Sequence, residues 1–117
     1  MMGGAALIDL DHLNMYIADD TALRDEILAI FEEQAEKWAD LFDPEQPDET
    51  WRNSAHGLKG ASRGIGAWDV GNLCERAEKM IGEAPEKFEE RAALLVELRQ
   101  KLGETVAEAR RLRDALS

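Results

Sequence analysis

Several features are scarce in this 117-residue chain, and each scarcity excludes a class of protein. The single cysteine, Cys74, excludes an internal disulfide and a site of several thiolates, and we expect it to be a small buried hydrophobe. No apolar run approaches the length of a membrane span, and the N-terminus lacks a signal-peptide pattern. With 14 basic against 25 acidic residues, the formal charge of −11 argues against nucleic acid and anionic membrane. We therefore expect a cytoplasmic protein that binds neither nucleic acid nor membrane.

Strand patterns are also missing, because no segment alternates apolar and polar residues. Apolar residues instead recur at helical spacing, most clearly in a helix predicted over about 21–42, at the following positions: Leu23, Ile27, Ile30, Phe31, Gln34, Trp38 and Leu41. The other helices are predicted over about 10–18, 47–66, 70–81 and 85–112. We predict a flexible N-terminus at 1–7 and, over 8–117, a single all-α domain: an antiparallel up-down four-helix bundle with a short additional N-terminal helix.

Capping residues and apolar faces refine these helices. Asp9 is predicted to cap the first helix, and Asp69 to cap the fourth, with Trp68 and Leu73 as a hydrophobic staple. The last helix is predicted to bury the following residues: Phe88, Ala92, Leu95, Leu102, Val106 and Ala109, with Leu98 and Leu112 near the edge of that face. His12, on the short first helix, is predicted to be an ordinary surface histidine.

The segment from Ser54 to Ala67 carries a histidine, His56, on a polar helical face. At about 100° per residue, Lys59, Gly60 and Arg63 lie within about 60° of it, and the large apolar residues lie on the other side. A glycine inside a helix costs about 1 kcal/mol relative to alanine, so Gly60 indicates that something must approach closely there. The functional interpretation is an exposed, nucleophilic imidazole with a cation one turn away. Composition alone favours the plainer one, a surface histidine on a helix weakened by glycine.

A second residue, Glu78, has a spacing that matches His56. If the turn between the third and fourth helices is centred near Ala67, the two residues are equally far from it and lie at the same height. Glu78 can then accept a hydrogen bond from Nδ1–H of His56, which leaves Nε2 unprotonated and outward, as a nucleophile requires. Geometry alone supports an ordinary surface carboxylate equally well.

Together these residues closely resemble the histidine-containing phosphotransfer (HPt) domain. The resemblance spans about 7–112 and is carried by these segments: His56-Gly57-Leu58-Lys59-Gly60, Ile65-Gly66-Ala67, Leu73-Cys74, Glu78, and the earlier run from Leu7 through Phe31. It implies that His56 accepts a phosphoryl group from the phospho-aspartate of one receiver domain and returns it to another. It also implies that Lys59 offsets the phosphoryl charge, with Arg63 as a second cation. Gly60 would leave room for the receiver, and Glu78 would hydrogen-bond the imidazole.

The same resemblance implies the partners and the limits of the chemistry. The partners would be receiver domains of hybrid histidine kinases and response regulators, and the protein would be a monomer. No cofactor is expected, because the Mg²⁺ belongs to the receiver. No nucleotide-binding or kinase motif is present, so we expect a phosphoryl carrier without ATP-dependent kinase activity of its own. No further domain accompanies the segment, which implies a free-standing shuttle.

Receiver docking is predicted around His56, on the first three helices. The short first helix has more apolar residues than one face needs, so Met15, Tyr16 and Ile17 are the predicted contacts.

Three other classes fit less well. A bundle that docks without transfer has no evident use for Gly60 beside an intact His56. A di-metal four-helix bundle needs Glu-x-x-His pairs, whereas Asn53 stands three residues before His56. A dimeric histidine-kinase hairpin usually has an acidic residue where this chain has Gly57.

Overall fold

Five helices form the computed structural model, which describes residues 6–18 and 20–114: α1 (Leu10–Ile17), α2 (Thr21–Leu41), α3 (Asp48–Gly64), α4 (Trp68–Glu78) and α5 (Lys87–Asp114). No strand occurs within those ranges. The helices α2 to α5 form an antiparallel bundle in which α3 packs on α4 and α5 packs along α2 and α4, while α1 lies against α2. The predicted all-α bundle with a short leading helix is confirmed. Of the segment predicted to be flexible, residues 1–5 lie outside the described ranges.

The predicted cap of α1 is confirmed and also attaches α1 to the rest of the bundle. The Asp9 carboxylate accepts hydrogen bonds from the His12 backbone N–H at 3.2 Å and from Trp68 Nε1 at 2.9 Å. The backbone N–H of Asp9 donates to Gly66 O at 2.9 Å, and Gly66 has a φ of +79°. A Cβ at Gly66 would lie 2.8 Å from Cβ of Asp9. The turn between α3 and α4 therefore needs glycine, both for its conformation and for this close approach.

The prediction that His12 is an ordinary surface histidine is wrong. Its ring is half-buried and makes edge contacts with Tyr16 and Trp68, with ring centroids 5.1 Å and 4.7 Å away. The reason is the Asp9–Trp68 hydrogen bond, which brings the indole of α4 over α1.

The prediction that Asp69 caps α4 is also wrong. The helix begins at Trp68 with Ala67 as its N-cap, without a side-chain capping bond, and Asp69 lies in the first turn. The backbone N–H of Ala67 donates to Ser62 O at 2.8 Å, which closes α3 tightly and lets α4 begin at once. The predicted helix ends differ by a few residues elsewhere, since α3 ends at 64, α4 at 78, and α5 begins at 87.

The apolar stripe predicted to face the core from α2 does not do so as a whole. The buried residues of α2 are Leu28, Phe31, Glu32 and Ala35. Leu23, Ile30 and Leu41 of the predicted stripe are 38%, 47% and 53% exposed. The helix has two adjacent apolar faces. The face with the clearer apolar period lies next to the buried face and is partly exposed to solvent.

The predicted buried face of α5 is wrong at its start. Phe88 is 48% exposed and Ala92 is exposed, whereas Arg91 is fully buried. Leu98 and Leu112, predicted near the edge, are buried. Hydrogen bonds compensate for the cost of burying the charge of Arg91. The apolar pattern of the sequence does not predict this burial, because arginine counts as polar in it.

Arg91 is the centre of a base cluster, which we define as Arg91, Asp48, Lys87 and Trp51. Its guanidinium donates to Asp48 Oδ1 at 2.6 Å and to three backbone carbonyls: Met80 O, Pro44 O and Gln46 O. It also lies 4.6 Å from the centroid of the Trp51 ring. The base cluster therefore joins the α2–α3 and α4–α5 connections at one end of the bundle.

Candidate functional site

The structure brings three of the predicted site residues together on the faces of α3 and α4. The His56 side chain is 73% exposed, and its Nδ1 lies 3.6 Å from Glu78 Oε1. Lys59 Nζ lies 2.6 Å from the same oxygen, and the Lys59 side chain is only 18% exposed. The predicted equal height of His56 and Glu78 is confirmed. The imidazole is thus available to a partner, with a cation and a carboxylate beside it.

Packing on the opposite face of α3 explains why His56 faces outward. Trp51, Ala55 and Leu58 are fully buried, which fixes the rotation of the helix. Trp51 Nε1 also donates to Ala77 O at 2.7 Å, one residue before Glu78. Because this bond crosses from α3 to α4 next to the site, it fixes the register that sets His56 opposite Glu78.

The predicted hydrogen bond between His56 and Glu78 is not formed in this structure, because 3.6 Å is too long for one. Lys59 is within ion-pair distance of Glu78 Oε1. Oε1 is shielded from solvent and receives no hydrogen bond from the described residues. This oxygen therefore lies between two nitrogens, with Lys59 Nζ the closer of the two.

Two glycines of α3 shape the surface around the imidazole. A Cβ at Gly60 would meet nothing within 4 Å, so the space above that residue is open. A Cβ at Gly57 would collide with the Trp38 ring of α2. This role of Gly57 is not visible in the sequence, because only the packed structure shows that a large aromatic ring lies against it.

Arg63 is not brought to the imidazole. Its guanidinium donates to Glu75 at 3.0 Å and to Asn72 at 3.4 Å, both on α4. The hydrogen bond from Arg63 is the main cause that lowers the pKa of Glu75. Seven residues along a helix span about 10 Å, so Arg63 lies two turns away from His56. Its role as a second cation stays a prediction.

Cys74 lies beneath the site on α4 and is fully buried, as predicted. Burial raises the pKa of its thiol to about 12, and the nearby Glu78 carboxylate adds to the rise. The thiol therefore stays protonated near neutral pH and is a packing residue, not a second nucleophile.

The short helix α1 has exposed apolar residues. Met15 and Tyr16 are 80% and 65% exposed, but Ile17 is buried, so its predicted docking role is wrong. Ile17 points into the core because it lies one turn after Leu13 on the buried face of α1. A groove of about 410 Å³ between α2 and α3 includes Gly57, the residue after His56, and is lined by the following residues: Gln34, Lys37, Trp38, Leu41, Gly57 and Ala61.

The part of the chain at 6–18 and 20–114 has no cluster of three or more His, Cys, Asp or Glu side chains suited to a metal ion. None of its helices is both long and apolar enough to cross a membrane.

Comparisons with known proteins agree with this geometry. The family model of the Hpt domain matches residues 13–116. No curated protein matches the chain. Among solved structures, the fold is similar to the crystal structure of the histidine phosphotransferase ShpA from Caulobacter crescentus. The two have a TM-score of 0.73 and 31% sequence identity, over 95% of this chain and 94% of that chain. The chain therefore belongs to the Hpt family, and its function is histidine phosphotransfer in a two-component phosphorelay.

Proposed function

We propose that His56 is the residue that carries the phosphoryl group. The observation that supports this most is the exposed imidazole beside a partly buried Lys59 and the open space above Gly60. Of the two histidines in the chain, His12 is half-buried against Trp68. An incoming receiver needs access to the nucleophile, and His56 offers it.

The chemistry assigned to His56 is attack by the Nε2 lone pair on phosphorus. The N–P bond forms as the P–O bond of the receiver's acyl phosphate breaks, and the aspartate carboxylate leaves with that electron pair. Phosphoryl transfer depends mainly on positioning and charge stabilisation, so Lys59 is the group of this chain assigned to the phosphoryl oxygens. We expect Mg²⁺ to be supplied by the receiver, with no cofactor bound by this chain.

The partner surface is assigned to the exposed apolar residues of α1 and to the groove between α2 and α3. Met15 and Tyr16 are exposed on α1, and the groove is lined by Trp38, Leu41 and Gly57 among others. Exposed apolar area of this kind is typical of an interaction site. Replacing Met15 or Tyr16 by aspartate should slow transfer about tenfold through weaker docking. Rates that stay at the wild-type value in both variants would contradict this docking surface.

We expect receiver domains of hybrid histidine kinases and of response regulators as partners, and a monomeric protein in the cytoplasm. The net charge of −11 supports the absence of nucleic acid among the partners.

The proposed carrier role is tested by label transfer. The protein is mixed with a receiver domain carrying radiolabelled aspartyl phosphate and Mg²⁺, across a panel of receivers, and the label is followed over time. Wild type and the matched control His12→Gln should acquire label, and His56→Gln should not. Label on His56→Gln, or none on wild type with every receiver, would refute the proposal.

A further inference from the structure

We propose that Glu78 is a positioning residue that holds Lys59 while His56 is unphosphorylated and releases it when the phosphoryl group arrives. This inference rests on the proposed function and concerns the control of the same site. Lys59 Nζ is 2.6 Å from Glu78 Oε1, and His56 Nδ1 is 3.6 Å from that oxygen. The two donors therefore compete for one acceptor, and in the unphosphorylated protein Lys59 is the closer.

The burial of these groups shows what the contact does. The Lys59 side chain is 18% exposed and that of Glu78 20%, against 73% for His56. The carboxylate thus keeps the cation between α3 and α4, away from the space in front of the imidazole. Lys59 Nζ and His56 Nδ1 are the two groups close to Oε1, so the carboxylate can pass from one to the other.

Phosphorylation changes the balance between the two donors. The phosphoryl group on Nε2 of His56 carries a charge of about −2 on its oxygens, while the ring that keeps the Nδ1 proton becomes cationic, so the site gains about −1 in all. Lys59 follows His56 by three residues on the same helical face, and its four-carbon stem is flexible, so its ammonium can turn to the phosphoryl oxygens. The stronger negative charge draws Nζ away from Glu78.

The departure of Lys59 leaves Oε1 of Glu78 free to accept the hydrogen bond from Nδ1–H of His56. That bond keeps the proton on Nδ1. When the next receiver carboxylate attacks phosphorus, the Nε2–P bond breaks with its electron pair on Nε2, and a neutral imidazole leaves. Glu78 therefore has two successive partners, first Lys59 and then the phosphorylated His56.

This exchange predicts that the negative charge of Glu78 opposes phosphorylation, because Lys59 must leave it first. Glu78→Gln removes that charge but keeps an amide oxygen that can accept from Nδ1–H, so it should raise the equilibrium ratio of phosphorylated HPt protein to phosphorylated receiver about three- to tenfold. Removing a negative charge near the phosphoryl group would raise it too. A single variant therefore does not separate the exchange from simple repulsion.

A double-mutant cycle separates them. Wild type, Glu78→Gln, Lys59→Met and the double variant are equilibrated with one labelled receiver and Mg²⁺, and the partition of label is measured. The exchange predicts that the effect of Glu78→Gln falls below about 1.5-fold when Lys59 is methionine. An equal effect in both backgrounds, or no effect in either, would overturn the inference. Failure of wild type to accept label would instead refute the carrier role.

A second measurement needs no transfer. In the unphosphorylated protein, ¹⁵N NMR reports which nitrogen of His56 carries the proton. Lys59→Met should raise the fraction with the proton on Nδ1, because Glu78 is then free to accept it. The matched control, Lys101→Met, breaks the lysine–glutamate pair with Glu104 on α5 and should leave the His56 signals unchanged. Signals in Lys59→Met identical to wild type would overturn the inference.

Discussion

The base cluster and the His56 site are built from the same kinds of groups, yet their bonding differs. At the base, the Asp48 carboxylate accepts hydrogen bonds from Arg91 and Lys87. Its second oxygen accepts from the Gly82 N–H at 2.8 Å. At the site, Glu78 Oε1 lies 2.6 Å from Lys59 Nζ and 3.6 Å from His56 Nδ1, and it has no hydrogen bond from the described residues. A saturated pair fixes the backbone segments that it joins, and an unsaturated pair leaves its groups able to change partners.

The largest expected effect on stability comes from a substitution in the base cluster. Arg91→Met removes the donor to three backbone carbonyls and to Asp48, so we expect a loss of about 3 kcal/mol in the free energy of unfolding. Urea unfolding measures this. The exposed Arg76, which pairs with Glu97 at 3.7 Å, is the matched control, and Arg76→Met should change stability by less than about 0.5 kcal/mol. Equal effects of the two substitutions would contradict the structural role of the base cluster.

The base cluster and the His56 site also differ in how far the sequence predicts them. The trio of His56, Lys59 and Glu78 was predictable because spacing along one helix and height across one hairpin are local quantities. The base cluster was not, because Arg91 takes its acceptors from segments more than forty residues away as well as nearby ones. Periodicity reports that α2 has an apolar stripe, but only packing decides which face the core covers.

Alanine substitutions at Gly57 and Gly60, two glycines of α3, should change the stability of the protein in opposite directions. Gly57→Ala should destabilise the protein by about 1–3 kcal/mol, because its Cβ collides with Trp38. Gly60→Ala should stabilise it by about 0.5–1 kcal/mol, because its Cβ meets nothing and alanine favours the helix. Thermal unfolding of the two variants gives the signs.

At Gly60, phosphoryl transfer can be measured in addition to stability. A bulky replacement such as Gly60→Leu should cut transfer from a receiver while the helix stays at least as stable as in wild type. Unchanged transfer would contradict the role of Gly60 in leaving room for the partner. A Gly57→Ala variant as stable as wild type would contradict the packing of Trp38.

Acid pH should remove the stability that Asp48 gives to the base cluster. The hydrogen bond from the Gly82 N–H, followed by that from Lys87, lowers the pKa of Asp48 from 3.8 to about 2. Because the folded state binds this proton less tightly than the unfolded state, the stability from Asp48 is present above about pH 4 and is lost as the pH falls toward 2. The difference in Tm between wild type and Asp48→Asn should therefore narrow over that range. A difference that stays constant down to pH 2.5 would contradict this assignment.

The central claim, that His56 carries the phosphoryl group on Nε2, has one direct measurement. Protein labelled with ¹⁵N in histidine is phosphorylated by a receiver domain, and ³¹P–¹⁵N coupling is recorded. We predict a single phosphorus bonded to Nε2 of His56, with the proton on Nδ1 and the His12 signals unchanged. Phosphorus bonded to Nδ1, to His12 or to no histidine nitrogen would contradict the account.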